Sequence, residues 1–161
     1  MLVAVPVMAM AQMKIATVDV QAVFNAMPEA KTAAAELENY SKQLNAEYEM
    51  MQAEFNRKYA DYQLIAGDAK TPTTIKDRRV REIQDSDRDI DKFLTTSRES
   101  VAARKALLEQ PIYDKINSAI KQVGDANGYT YIIDVSTTPV VYRGANAIDV
   151  TEKVKALVGA Q

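Results

Sequence analysis

The chain has no cysteine and no histidine, and only 5 glycines and 5 prolines among its 161 residues. Without cysteine there are no disulfides, no thiol nucleophile and no thiolate ligands; without histidine there is no imidazole base and no ordinary zinc set. A Gly-rich phosphate loop and a nucleophile motif are missing as well. Most enzyme mechanisms are thereby removed, and no catalytic residue, cofactor or metal is expected. Scarce glycine and proline argue for long uninterrupted elements, with helix dominating. A surplus of positive charge is also lacking: 20 Lys and Arg face 22 Asp and Glu, for a net charge of -2 and a pI near 5.3. Nucleic-acid binders show a basic stripe or patch, so no nucleic-acid partner is expected.

What is present begins with an apolar run from Met1 to Met10, which closes on Ala9-Met10-Ala11, before Gln12, in the small-x-small form of a signal-peptidase site. Residues 1–11 read as the remnant of an export signal cleaved after Ala11, although the basic segment that should precede the run is missing. No other apolar stretch approaches the roughly 18–20 residues needed to cross a bilayer. A soluble mature protein in a periplasm is the expectation.

Ile15, Ala16, Val18 and Val20 make a short β-prone segment, and Val23, Phe24 and Met27 then recur at helical spacing up to Pro28. From Glu29 to Ala66 there is no Gly or Pro. A heptad can be written there with Ala34, Ser41, Tyr48, Phe55 and Tyr62 at a, and Leu37, Leu44, Met51, Lys58 and Ile65 at d. All but Ser41 and Lys58 are apolar, which is a coiled-coil pattern. Such a helix would extend on the order of 57 Å at about 1.5 Å per residue. The stretch from Gly67 to Thr74, with Pro72 and several hydroxyls, should turn the chain. The return helix offers Ile83, Ile90, Leu94, Val101 and Leu108, interrupted by Asp87, Ser97 and Arg104. Pro111 should kink it before Ile112, Ile116, Ala119, Ile120 and Val123 continue, and Asn127-Gly128 should stop it. Tyr129–Val135 and Val140–Tyr142, separated by Ser136-Thr137-Thr138-Pro139, read as a β-hairpin. Asp149 to Glu152 resembles a capping box for a last helix with Val154, Leu157 and Val158.

The fold class is thus mostly α with a small β body, and a long antiparallel coiled-coil hairpin inserted between N- and C-terminal strands. The body comprises 12–28 and 124–161, with Ile15, Val18, Tyr131, Ile133, Val135, Val140 and Tyr142 as its candidate assembly residues; the hairpin comprises 29–123, with its tip near 67–74. Three short strands and two short helices bury little surface alone, so oligomerisation is expected, and pooling strands into a closed barrel would remove the free edges. Two, three or four subunits satisfy that argument.

Tyr48, Met51, Phe55 and Tyr62 read as seam residues holding the two helices together, with Leu37, Leu44, Ile83, Ile90, Val101 and Leu108. Met50 and Tyr59 lie off the seam and, with Leu64 and Ile75 near the tip, are candidates for contact with a partner chain through adaptable side chains. Lys70, Lys76, Arg78, Arg79 and Arg81 outnumber Asp68, Asp77 and Glu82 near the tip, which suits an anionic membrane surface, although a basic run is more often only a solvated face. Asp85, Asp87, Asp89 and Asp91 alternate like the start of a calcium loop. Ile90 stands where such a loop needs Gly and Thr96 where it needs Glu, so a solvated helix face is the reading.

Lys14-Ile-Ala-Thr-Val-Asp19 with Val23, Phe24 and Pro28, the charged coiled-coil centre, Gly128-Tyr-Thr-Tyr-Ile-Ile-Asp134 and Ala147-Ile-Asp-Val-Thr151 together resemble the Skp/OmpH family of periplasmic chaperones, over nearly all of Lys14 to Val158. That resemblance implies a jellyfish-like homotrimer with a β-barrel body and three helical tentacles around a cavity. It also implies an ATP-independent holdase whose partners are unfolded outer-membrane proteins. The rival reading is a structural coiled-coil adaptor or spacer in the cell envelope.

Overall fold

The structure is a computed structural model that describes residues 13–160; the export signal read in residues 1–11 lies outside the described residues. The elements are β1 (Ile15–Val18), α1 (Val20–Ala26), α2 (Pro28–Ala66), α3 (Thr73–Asn127), β2 (Tyr131–Asp134), β3 (Ile148–Asp149) and α4 (Thr151–Val158). They divide into two units. One comprises the chain up to Lys31 together with Gln110–Gln161, the other Thr32–Glu109. The sequence reading drew these boundaries at 28/29 and 123/124. The last turns of α3 fall in the first unit because Ile112, Ile116, Ala119 and Val123 are buried.

In the first unit, the body, β1 is the central strand of a parallel sheet ordered β2-β1-β3. Ile15 pairs with Tyr131, Thr17 with Ile133, and Ala16 with Ile148. Side chains alternate across a strand, so Ala16 and Val18, both buried, face one side while Ile15 faces the other. The buried side is filled by Val23 and Met27 from the first turns, the four α3 residues just named, and Val150, Val154 and Val158. α1 and α4 pack on each other there.

Each strand ends in an aliphatic residue, an aspartate and a valine, and the three aspartates close the sheet. Asp19 caps α1 by accepting from Ala22 N at 2.8 Å. Asp134 accepts from Val20 N at 3.3 Å and from Ser136 N at 2.9 Å. Asp149 accepts from the Thr151 backbone N at 2.9 Å and its hydroxyl at 2.6 Å, and that hydroxyl accepts from Asp19 N at 2.9 Å. Burial opposes ionisation of Asp134 and Asp149, yet these hydrogen bonds hold both carboxyls below the ordinary aspartate range, with Arg143 assisting at Asp149.

Two local expectations are corrected. Val140–Tyr142 forms no strand; the third strand is Ile148–Asp149, parallel to β1. Asp134 captures the backbone and hydroxyl of Ser136 and so turns the chain out of β2, and Pro139 has no N–H to give a ladder. The capping box at α4 is not reciprocal either. The helix begins at Thr151 with Val150 as its cap residue, Asp149 bonds two residues ahead, and Glu152 turns to Lys155 instead of reaching back. Pro111 stands inside α3, which runs on unbroken, and leaves the carbonyl of Leu107 without its helical donor. Gly128, at φ 64°, follows the last residue of α3 in the left-handed conformation that stops a helix.

Candidate functional site

The second unit, the hairpin, is where a binding surface has to be sought. Half-burial along α2 recurs at Leu37, Ser41, Leu44, Tyr48, Met51, Phe55, Lys58, Tyr62 and Ile65, in alternating steps of four and three. Ala34 is exposed. On α3 the half-buried positions include Ile83, Ser86, Leu94, Ser97, Val101 and Leu108, and Ile90 is buried. Asp87 and Arg104, which the linear pattern put in the seam, are exposed, and Ser86 faces inward in place of Asp87. That exchange accommodates Lys58, whose ammonium donates to Ser86 Oγ at 2.7 Å and pairs with Glu54 at 3.0 Å. The Lys58 hydrogen bond holds the Glu54 carboxyl below its ordinary range.

The seam opens near Tyr48. A groove of about 630 Å³ lies there, with Leu44, Tyr48, Leu94 and Val101 among its apolar lining and Ser41 and Ser97 as its small seam residues. Serines on both helices leave a gap that larger apolar residues would have closed. Ser97 Oγ is buried and has no hydrogen-bond partner among the described residues.

Outside the seam the hairpin surface is mainly charged, with isolated apolar side chains. Met50, Tyr59, Leu64 and Ile75 are all exposed, Leu64 at 81%. Tyr59 stacks on Phe55 with centroids 6.4 Å apart. Leu107, 71% exposed, joins this set. The sequence pattern did not single it out, and a lone Leu off the heptad was its only signal.

At the tip the five basic residues have different fates. Lys76 donates to the carbonyls of Ala66 at 3.0 Å and Asp68 at 2.8 Å, which caps the end of α2. Arg79 and Arg78 both pair with Glu82, at 2.7 and 3.7 Å, and the Arg79 bond pulls the Glu82 carboxyl down. Lys70 and Arg81 form no ion pair among the described residues. Asp68, ionised more readily through the Lys70 backbone N–H and the Thr71 hydroxyl, organises the turn itself.

In the body, Ile15, Tyr131 and Ile133 lie on the sheet face opposite the buried side, and all are exposed. Val140 and Tyr142 are exposed in the loop after β2, Val135 is half-buried, and Val18 belongs to the protomer's own core. Among the described residues no group of acids could hold a metal ion, and no helix is long and apolar enough to cross a membrane.

The class is therefore a mostly helical protein with a long α2/α3 hairpin between N- and C-terminal strands that form a small parallel sheet. The profile of a family described as outer membrane protein (OmpH-like) matches residues 14–158, and the chain belongs to that family, the Skp/OmpH chaperones of outer membrane proteins. Its fold is similar to the crystal structure of a candidate outer membrane chaperone (OmpH-like) from Caulobacter crescentus, with a TM-score of 0.75, 16% identity, and coverage of 92% of this chain and 85% of that one. At that identity the likeness speaks for the fold. No curated protein matches the chain.

Proposed function

We propose that the protein is an ATP-independent periplasmic holdase that binds unfolded outer-membrane proteins and keeps them from aggregating. The observation that carries this reading is the hairpin of an OmpH-like chain on which Met50, Tyr59, Leu64 and Leu107 stand exposed between charged residues. Apolar groups spaced singly give many weak contacts, which suits clients of varied sequence. Three copies would bring together the exposed sheet faces around Ile15, Tyr131 and Ile133 and cover the free edges of β2 and β3 in one barrel. Lys70 and Arg81, without an ion pair among the described residues, suit an anionic membrane surface at the tips.

The test is light scattering of a urea-diluted outer-membrane β-barrel protein, with and without residues 12–161 and without nucleotide, alongside the mass of the assembly. Suppression at about one trimer per client supports both parts of the proposal. Undiminished aggregation beside a well-folded trimer would shift the reading to an envelope adaptor.

A further inference from the structure

We propose that the groove between the two helices of the hairpin is a discrete docking site for a short client segment that carries an aromatic side chain next to a carboxylate. The inference rests on the holdase reading and deepens it, by giving each chain one saturable site beside its scattered apolar contacts.

Charge complementarity selects the occupant. The chain has 22 acidic residues, yet none lines the groove, whereas Arg98 and Lys105 do. Arg98 forms no ion pair among the described residues, and Lys105 reaches Glu109 only at 3.9 Å. A carboxylate at the rim would give both cations a partner, and a guanidinium–carboxylate contact is among the stronger polar contacts available at a surface. The rest of the lining is largely apolar and aromatic, with Phe93, Leu94, Tyr48 and Val101, and about 630 Å³ is ample for an aromatic side chain and its neighbours.

Ser97 separates a peptide from a lipid. Its hydroxyl is buried and unpartnered on a helix where a serine commonly bonds back to the carbonyl four residues earlier. A peptide group, with an N–H and a C=O, can satisfy that hydroxyl once the side chains over it shift. An acyl chain has no such group to offer.

The protein contains no tryptophan, so an end-blocked peptide Gly-Ser-Trp-Asp-Phe-Ser-Gly reports its own binding through its indole emission. The parent protein should bind it saturably at one site per chain, and the peptide with Lys in place of Asp about tenfold more weakly. Arg98→Glu, a change at an exposed position, should lower affinity for the Asp peptide about tenfold and narrow or reverse the preference. Ser97→Leu should fill the groove, raise the melting temperature of the hairpin and abolish binding. Ala102→Phe, made from an exposed position in the lining, provides the same block should Ser97→Leu fail to fold. Equal binding of both peptides, or unchanged binding by helical, folded variants, overturns the inference. So does saturable occupation by dodecanoate without any binding of the Asp peptide. The light-scattering assay run on the same proteins separates the two readings. Suppressed aggregation with charge-blind peptide binding sinks this inference alone; charge-selective groove binding with unchecked client aggregation sinks the holdase reading, and with it the assignment of the groove to clients.

Discussion

The body and the hairpin are built from the same residue types but bury them very differently. In the body Val23, Met27, Ile116, Val150 and Val154 have no exposed surface at all, and three aspartates close the strand ends. In Thr32–Glu109 the only buried hydrophobic residue among those described is Ile90, and the rest of the seam is incompletely buried. Two helices can shield one stripe each, so a lone hairpin leaves its seam wet at both margins. The difference is one of stability: the body is the stable base, and the hairpin is a surface with modest stability of its own, open to local unfolding.

The largest effect expected from breaking this comparison is in the body. Ile116→Ala should cost about 3–4 kcal/mol, since a fully buried side chain leaves a cavity behind. The matched change in the hairpin, Leu44→Ala, should cost only about 1–2 kcal/mol, because that side chain is incompletely buried. Hydrogen exchange followed segment by segment reads both. Ile116→Ala should raise exchange through β1, β2 and α4, whereas Leu44→Ala should raise it only within α2 and α3. Equal costs at the two sites would dissolve the distinction between base and surface.

Acid sharpens the same contrast. Asp134 and Asp149 have carboxyls lowered in the folded body, so the unfolded chain binds more protons as pH falls below the ordinary aspartate range of about 4. Their stabilisation is fully present above that range and is lost as pH drops through the lowered folded values. The urea midpoint of the body should therefore be flat from neutral pH down to about 5 and then fall. Asp134→Asn with Asp149→Asn should flatten that fall at the cost of a lower midpoint at neutral pH, since a neutral amide accepts these N–H bonds more weakly. An unchanged acid profile in the double variant would remove the aspartates from the account.

How legible all this was depends on the range of the interactions. The heptad of α2 could be written from the sequence because its spacing is local, although Ala34, written at a, is exposed, and the long hairpin between terminal strands followed from the scarcity of Gly and Pro. Strand partners were harder. Val140–Tyr142 has the composition of a strand, but pairing is decided by distant β1, which takes Ile148–Asp149, and by Asp134, whose side chain turns the chain away first. The groove was half visible: Ser41 and Ser97 both stood as polar positions in the written seams, but that they line one gap depends on how two helices far apart in sequence align. The role of Lys76 left no trace in the sequence, because a lysine in a basic run looks the same whether it faces solvent or caps a helix.

Lys76 gives the smallest of the expected effects and the most local one. Its ammonium serves two carbonyls at the end of α2, and in Lys76→Ala those oxygens turn to water, which the exposed tip allows. The cost should be at most about 1 kcal/mol, felt as fraying of the last turn of α2 and the first of α3. Amide exchange should rise around residues 64–76 and nowhere in the body. Lys76→Arg, which keeps the charge but not the reach of a single ammonium, should restore only part of the protection. Fraying that spread down the seam past Lys58 would mean that the tip holds the helices together. Fraying confined to the tip would leave that work to the cross-hairpin contacts from Lys58 and Ser86 downward, where the groove also lies.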